Sequence, residues 1–246
     1  MKLKKRFTHF LYWLGTSSPL VRIVQLTFGH HAYDGKGFVT LPKGVKANTS
    51  SSILFRLYER PERLMIKRWL PSDIDCVELG SSIGIVSREA VSRLGKKQTF
   101  VAVEADSSLA LTTRLNIIKS RPSCNLVLVN AAIAYGAEKV NFAKNCGTLS
   151  GRITHGEDNG RHVVATSLGK ILRENSISKF SLVMDIEGME YELIREEPQS
   201  LSGCELIIAE LHGPQSDKEH FCNTLSGLGY RRCEDLHNVF VFSRIE

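Results

Sequence analysis

The sequence has no internal repeat and no low-complexity tract, which excludes a collagenous chain. Its 246 residues are 42% hydrophobic and 24% charged, so it has enough apolar material for a sizeable core, and wholesale disorder is also excluded. This length favours one large domain plus an extension over two equal domains. The excess of 32 basic over 26 acidic residues gives a formal net charge of +6, which permits an acidic substrate or a membrane surface without requiring nucleic acid.

Cysteine pairs with metal-binding or redox spacing are absent, because the chain has no C-x-x-C motif. Several cysteines lie inside apolar, strand-like runs such as DCVELG and GCELIIAEL. This pattern predicts buried free thiols rather than a disulfide framework or a zinc site, and it favours a reducing compartment, the cytoplasm. The cysteines are Cys76, Cys124, Cys146, Cys204, Cys222 and Cys233.

The N-terminus lacks an apolar segment long enough to cross a bilayer. Lys2, Lys4, Lys5 and Arg6 precede FTHFLYWLG, but polar residues then interrupt the stretch, far short of the roughly 20 apolar residues that a span needs. No small-x-small cleavage site follows it cleanly, which argues against a secretory signal. We expect an amphipathic helix packed on the domain or a mobile tail, with contact between residues 1–28 and the inner face of the membrane as the alternative.

Strand and helix patterns alternate along most of the chain. A helix is predicted from Ile53 to Leu70, where apolar residues recur at helical spacing up to Pro71. Beyond it, short apolar runs alternate with helical segments, which is typical of βαβ units in a parallel sheet. The last two strands are separated only by LHN, so they predict an antiparallel hairpin. The predicted strands are 75–80, 99–104, 125–134, 180–188, 204–213, 230–235 and 238–244.

The alternation is interrupted after the third of these strands. EKVNFAK and RHVVATS have the pattern of short strands, and the segment between them, NCGTLSGRITHGEDNGR, is rich in glycine and polar residues. A loop of this length in a compact domain is usually functional or disordered. We therefore predict a loop insertion at about 144–162, either a disordered one or a lid that binds substrate through Thr148, Ser150, Arg152 and His155.

The turn after the first strand of the predicted sheet is the strongest candidate binding site. Gly80 and Gly84 lie where this strand turns directly into a helix, so backbone amides and the helix N-terminus can approach a ligand closely. Their spacing is neither the G-x-G-x-x-G of dinucleotide-binding proteins nor a nucleoside-triphosphate loop. Taken alone, the glycine pair is explained equally well by a plain tight turn.

Glu104 ends the next strand and strengthens the case for a nucleoside ligand. A carboxylate about 20 residues beyond the glycine turn can accept hydrogen bonds from both ribose hydroxyls. A solvated glutamate at the end of a strand is the alternative. The glycine turn before it favours the ribose role.

Polar groups also follow two later strands. Asp185 and Glu187 lie at or just beyond the end of one strand, and Glu210 and His212 end the next, at the edge where open α/β sheets bind ligands. A histidine or carboxylate there can remove a proton from a hydroxyl group, and a divalent cation held by the carboxylates is an alternative means of activation. For His212, the roles of general base, supporting residue and metal ligand stay open. Glu190 is expected to cap the following helix.

Together, the segments VELGSSIGIVS, FVAVEADSS, LVNAAIA and LVMDIEGMEYELI resemble the FkbM-type branch of the class I S-adenosylmethionine-dependent methyltransferases. The resemblance runs from about Asp75 to His212. It implies an α/β, Rossmann-like fold with a mostly parallel seven-stranded sheet, helices on both faces and an antiparallel terminal strand. We expect an N-terminal extension, 1–60, that is helical or partly mobile, and a methyltransferase domain, 61–246.

The resemblance also implies which residues contact S-adenosylmethionine. The turn from Gly80 to Gly84 would hold the amino acid part, and Glu78, where the family commonly has aspartate, would interact with its ammonium group directly or through water. Glu104 would hold the ribose, Asn130 and Ala131 would line the adenine, and Asp185 would lie near the sulfonium. The full set is Glu78, Gly80, Ser81, Ser82, Gly84, Glu104, Ala105, Asn130, Ala131 and Asp185.

The activity implied by the resemblance is O-methylation of a sugar, a polysaccharide or a secondary metabolite, with Asp185, Glu187 and His212 as the catalytic residues. Nucleic acid is not expected as a partner, because the chain has neither a [DNS]-P-P-[YFW] segment nor a Pro-Cys pair. The glycine spacing disfavours a nicotinamide-dependent oxidoreductase. The main alternative is a non-catalytic binding module that retains the fold and associates with a membrane surface.

Overall fold

The computed structural model describes residues 29–43, 45–144, 149, 151–154 and 161–245. The strands within these residues are β1 (His31–Tyr33), β2 (Phe38–Thr40), β3 (Asp75–Leu79), β4 (Thr99–Val103), β5 (Asn125–Val129), β6 (Ala132–Ile133), β7 (Lys139–Lys144), β8 (Gly151–Thr154), β9 (Arg161–Thr166), β10 (Phe180–Met184), β11 (Cys204–Glu210), β12 (Tyr230–Leu236) and β13 (Val239–Arg244). The helices are α1 (Ala47–Leu54), α2 (Arg60–Trp69), α3 (Ile85–Val91), α4 (Ser107–Lys119), α5 (Leu168–Glu174), α6 (Glu190–Glu196) and α7 (Gln215–Gly227), and a 3₁₀ turn spans Pro198–Leu201.

Seven strands form the central sheet, in the order β12-β13-β11-β10-β3-β4-β5. The five strands from β11 to β5 are parallel, whereas β13 runs antiparallel to both β11 and β12. The predicted mostly parallel seven-stranded sheet and its antiparallel terminal hairpin are therefore confirmed. The chain builds outward from β3 to β5 and then returns to β10 on the other side of β3. Ligands in open α/β sheets bind at the carboxyl ends of the strands beside such a reversal.

Helices cover both faces of this sheet. Val77 and Leu79 pack in one cluster with side chains of α5, α6 and α7, whereas Cys76 packs in another with side chains of α2, α3 and α4. Successive side chains of a strand point to opposite faces, and both faces of a parallel sheet are normally covered, which explains the nearly continuous apolar strands. Glu78 departs from this pattern, because it is a buried carboxylate on the α3 side of β3.

The helix predicted from Ile53 to Leu70 is wrong as a single element, because the structure divides it into α1 and α2. Arg56 and Glu59, between the two helices, have left-handed backbone angles, with φ of 58° and 47°. Pro61 lies in the first turn of α2, where its missing N–H leaves no hydrogen bond unmade. Proline is enriched in the first turn of helices, so Pro61 marks a helix start that the apolar spacing conceals.

A second, four-stranded sheet corrects two further predictions. The strand predicted at 125–134 divides into β5, in the central sheet, and β6, which pairs with β9 in the small sheet. The segment predicted as a loop insertion contains β8, which pairs antiparallel with β7. β8 is the GRIT sequence inside the glycine-rich segment. Its composition did not predict a strand, but it forms one because β7 supplies its hydrogen-bond partners. Thr148, Ser150 and His155 of the predicted lid lie outside the described residues.

Residues 31–40 form a β-hairpin that packs against α3 and α4. Asp34 Oδ2 lies 2.7 Å from Nε of Arg88 on α3, and the Thr40 amide donates to Asn116 of α4 at 2.7 Å. Within the described ranges, no helix is long and apolar enough to cross a membrane. Five cysteines of the described residues are free, and Cys76, Cys124 and Cys204 are buried as predicted; Cys146 lies outside the described residues.

Candidate functional site

The glycine turn joins β3 to α3 at the point where the order of strands reverses. Gly80 has a φ of 86°, and a Cβ on this residue would lie 1.9 Å from the backbone oxygen of Asp185. The amides of Gly80 and Ser81 both donate to the carbonyl of Val103, at 2.9 and 3.0 Å. Glycine is therefore required at position 80 because the ends of β3, β4 and β10 approach closely there.

Glu104 follows β4 and is held by two backbone hydrogen bonds. The amide of Ser82 donates to its Oε2 at 2.8 Å, and the amide of Asp106 donates to its Oε1 at 2.9 Å. These contacts hold the Glu104 carboxylate beside the glycine turn, and its role in binding a ribose stays a prediction.

A cavity of about 360 Å³ opens at this edge of the sheet. Its volume lies within the usual range for small-molecule sites, roughly 300 to 1,000 Å³. Its wall brings together seven of the predicted site residues, namely Gly80, Ser82, Glu104, Ala105, Ala131, Asp185 and Glu187. The structure therefore gathers most of the predicted cofactor site around one space.

Five predicted site residues do not line this cavity. Glu78 accepts a hydrogen bond from Ser87 of α3 behind the turn, and Ser81 is buried beside it. Gly84 packs against Thr113 of α4: a Cβ on Gly84 would lie 3.2 Å from the Cα atom of Thr113. The side-chain Nδ2 of Asn130 donates to the backbone carbonyls of Glu104 and Ala105. His212 lies behind Asp185 and Glu187.

Sequence reasoning missed the part of the wall that precedes the resemblance. Tyr58 and Glu59, between α1 and α2, line the cavity together with Lys46, Asn48 and Thr49. The predicted lid segment contributes another wall through Leu149, Gly151, Arg152 and Ile153. Arg152 is the one of its four predicted substrate-binding residues that the structure describes. The proline at the start of α2 is the sequence signal that could have placed Tyr58 and Glu59 in a turn.

The backbone around the cavity is strained at three positions. Glu59, Ser82 and Glu187 each have a positive φ, of 47°, 50° and 54°, and all three line the cavity. Left-handed backbone at residues other than glycine costs free energy and is concentrated at functional sites. This supports the assignment of the cavity as the binding site.

His212 lies among three carboxylates. Its Nε2 atom is 3.6 Å from Asp185 Oδ1 and 3.7 Å from Glu187 Oε2, and its Nδ1 atom is 3.3 Å from Glu190 Oε1. Glu190 also accepts the amides of Ile186 and Gly188, at 2.9 and 2.8 Å. Glu190 therefore holds the turn before α6 rather than capping the helix as expected, since α6 has no side-chain cap hydrogen bond. It also contacts the imidazole, which sequence reasoning missed.

These contacts set the protonation of the cluster. The hydrogen bond with Glu190, together with the charges of Asp185 and Glu187, raises the pKa of His212 to about 9, although burial opposes the rise. Burial, followed by the neighbouring Glu210, raises the pKa of Asp185 to about 7, although His212 opposes the rise. Near neutral pH, His212 is therefore an imidazolium, and Asp185 is close to its titration midpoint.

The chemistry of the donor set fits a hard divalent cation poorly. Asp185, Glu190 and His212 each offer a ligand atom within 4.8 Å of the others. Hard cations such as Mg²⁺ and Ca²⁺ take oxygen ligands, but only two of these three residues supply oxygen, and both oxygens of Glu190 already accept backbone amides. The divalent cation that the sequence left open is therefore not assigned to this cluster as Mg²⁺ or Ca²⁺.

The strand order, the glycine turn after β3 and the carboxylate after β4 define a Rossmann-like fold of the class I methyltransferase type. Residues 79–232 match the family described as the methyltransferase FkbM domain. Because this match spans more than half of the chain, the chain belongs to that family. Its general activity is S-adenosylmethionine-dependent methyl transfer, with S-adenosylmethionine as the cofactor. No curated protein matches the chain significantly.

Solved structures with a similar fold come from several bacteria. One is a putative rRNA methylase from Clostridium thermocellum, with a TM-score of 0.48 and 9% identity over 75% of this chain and 94% of that chain. Another is an NADB-Rossmann superfamily protein from Streptococcus agalactiae, with a TM-score of 0.45 and 8% identity over 74% of this chain and 67% of that chain. A putative tRNA (m1A22) methyltransferase from Streptococcus pneumoniae, in complex with S-adenosyl-L-methionine, has a TM-score of 0.43 and 10% identity over 74% of this chain and 71% of that chain. With every TM-score below 0.5, these similarities carry no argument about the substrate.

Proposed function

We propose that the chain is an O-methyltransferase that acts on a hydroxyl group of a sugar, a polysaccharide or a secondary metabolite. The observation that carries the proposal is the contact between the cofactor-sized cavity and the histidine cluster. Asp185 and Glu187 line the cavity, and His212 faces both of them from behind. A cofactor pocket thus adjoins groups that can take up a proton, as methylation of a hydroxyl requires.

The chain's own residues divide the work between binding and proton removal. S-adenosylmethionine, when bound, supplies a methyl group activated on sulfur. Gly80, Ser82 and Glu104 hold the cofactor and fix its orientation in the cavity. Asp185 accepts the hydroxyl proton as the acceptor oxygen takes the methyl group, and the proton then passes to solvent. His212, protonated near neutral pH, orients the Asp185 carboxylate.

The cofactor part of the proposal predicts that Glu104→Ala loses affinity for S-adenosylhomocysteine. Two charge-assisted hydrogen bonds to the ribose are removed, so we expect a loss of about 100-fold or more. Calorimetric titration measures it, with Glu138→Ala, a change at an exposed glutamate, as the matched control. Equal affinity of wild type and Glu104→Ala would remove Glu104 from the cofactor site.

The acceptor part is tested by transfer of labelled methyl groups to a panel of sugars, polysaccharides and hydroxylated metabolites. Label on a hydroxyl of one of these supports the proposal, and label only in RNA or protein overturns it. We expect no label in nucleic acid. Cofactor binding without transfer to any acceptor would favour a non-catalytic module. Binding of the full chain to anionic vesicles then tests whether that module associates with a membrane surface.

The proton-transfer step predicts how the turnover number, kcat, depends on pH. Because only the ionised form of Asp185 can accept the proton, kcat should rise with pH through a midpoint near 7 and then level off. If His212 were the base, it would have to lose its proton first, and the rise would be centred near 9. Measurement of kcat between about pH 5 and pH 10 with saturating cofactor distinguishes the two.

A further inference from the structure

A smaller cavity adjoins the cofactor cavity at the glycine turn. Its volume is about 20 Å³, enough for one group the size of a water molecule, which needs roughly 10 to 15 Å³. Glu59, Gly80 and Asp185 line both cavities. A ligand in the larger cavity can therefore extend a single small group into the smaller one, which we call the acidic cavity.

Among the described residues, the acidic cavity is lined by five carboxyl groups and by no basic side chain. Burial and the neighbouring Glu210 raise the pKa of Glu62 to about 9, and burial, together with the charges of Glu104 and Asp185, raises the pKa of Glu78 to about 8. Carboxylates packed together out of water repel one another. Glu62 and Glu78 therefore keep their protons near neutral pH in the empty cavity, and a positive charge between the carboxyl groups would stabilise their ionised forms. The five groups are Glu59, Glu62, Glu78, Asp185 and Glu210.

Two buried polar atoms in the same wall lack a hydrogen-bond partner. Glu62 and Ser81 are 7% and 2% exposed, and neither Oε2 of Glu62 nor Oγ of Ser81 has a partner within the part of the chain that the structure describes. Buried polar atoms are nearly always hydrogen-bonded. These two atoms are therefore the acceptors that a small donor group in the acidic cavity would use.

The position of Glu62 on its helix is unusual for a purely structural residue. Met65 and Ile66, three and four residues further along α2, pack in the core against the sheet, and residues at this spacing share one face of a helix. Glu62 thus lies on the core-facing side. A carboxylate at such a position costs free energy unless it is paired. This cost is expected at a residue that binds a ligand rather than at a residue that only packs.

We propose that the acidic cavity binds the ammonium group of the cofactor's amino acid part, and that Glu62, with Glu59 and Glu210, binds it in addition to Glu78. An ammonium group carries one positive charge and three N–H donors, which match the surrounding carboxyl groups and the unused acceptor atoms. The inference rests on the proposed function, because it assumes this cofactor. It extends the cofactor site to residues of α2, which precede the family match at residue 79.

The test compares two ligands on the full chain by calorimetry: S-adenosylhomocysteine and the same molecule without its α-amino group. The variants are Glu62→Gln, Glu210→Gln and, as a control at an exposed glutamate of α6, Glu196→Gln. We expect Glu62→Gln and Glu210→Gln to weaken S-adenosylhomocysteine by about 10- to 100-fold, the usual effect of one charge-assisted hydrogen bond. The deaminated ligand should bind equally to all four proteins, and thermal unfolding checks that each variant is folded.

The results distinguish failure of this inference from failure of the proposed function. Equal weakening of both ligands would assign Glu62 and Glu210 a structural role and overturn the inference while leaving the proposed function intact. Unchanged affinity of S-adenosylhomocysteine in both variants would also overturn it. Binding of Mg²⁺ or Ca²⁺ alone, lost in Glu62→Gln while both ligands bind as before, would assign the acidic cavity to a metal ion instead. Failure of wild type to bind S-adenosylhomocysteine would overturn the proposed function together with the inference.

Discussion

Replacing Asp185 by asparagine is expected to lower kcat by about two to four orders of magnitude, the range found for loss of a general base. Asparagine has nearly the same shape but cannot take up a proton near neutral pH. Asp185 lines the cavity that we propose for the cofactor, and its Oδ1 atom, although buried, has no hydrogen-bond partner within the described residues. The change therefore breaks no hydrogen bond of that atom. Turnover with labelled cofactor measures the effect, and calorimetry with S-adenosylhomocysteine checks that binding persists.

The matched control is Asp73→Asn, at an exposed aspartate in the loop before β3, which should leave kcat unchanged. His212→Asn separates the two candidate bases, because it keeps a polar side chain but removes the imidazolium that faces Asp185. If Asp185→Asn retained wild-type turnover while His212→Asn abolished it, the base would be His212, and the assignment to Asp185 would be wrong.

The parts of the site that could be predicted are those that local sequence encodes. Gly80 and Glu104 each end a strand with a strong apolar pattern, and parallel strands bring their carboxyl ends to the same edge. The proximity of Gly80 and Glu104 therefore follows once the parallel sheet is recognised. The alternation of strands and helices predicts parallel pairing but not which strand lies beside β3, so the strand order comes from the structure.

The rest depends on tertiary packing that no local pattern encodes. Glu190 and His212 are 22 residues apart, and their contact exists only because α6 begins beside the end of β11. Glu62 has the spacing of a core residue on α2, but only the packed structure reveals four other carboxyl groups around it. The division of β5 from β6 escaped prediction for a related reason: Asn130 hydrogen-bonds the chain after β4, and the next residues then pair with β9.

Arg88→Met is expected to lower the free energy of unfolding by about 3 to 5 kcal/mol, because it leaves a buried charge unpaired. Arg88 and Asp34 have side chains only 1% and 2% exposed, and their atoms lie 2.7 Å and 3.3 Å apart at two contacts. The pKa of Asp34 is lowered, since hydrogen bonding and the charge of Arg88 outweigh the effect of burial. Arg88 also donates to the carbonyl of Asn116 at 2.8 Å, so it ties the N-terminal hairpin to both α3 and α4. Denaturant unfolding measures the change.

Arg195→Met is the matched control, because the side chain of Arg195 is 70% exposed and its ion pairs are at the surface; we expect a change of no more than about 1 kcal/mol. The double variant Asp34→Leu with Arg88→Met should lose less stability than the two single losses added together, since neither charge is then left alone in the core. Strictly additive losses would mean that the two side chains contribute independently. The hairpin would then be held to α3 by its apolar contacts, with Val39 and Ile85 in one cluster, rather than by the ion pair. In that case Arg88→Met should leave affinity for S-adenosylhomocysteine unchanged. If the two side chains are coupled, the pair fixes α3, the helix that begins at the glycine turn, and Arg88→Met should bind S-adenosylhomocysteine more weakly.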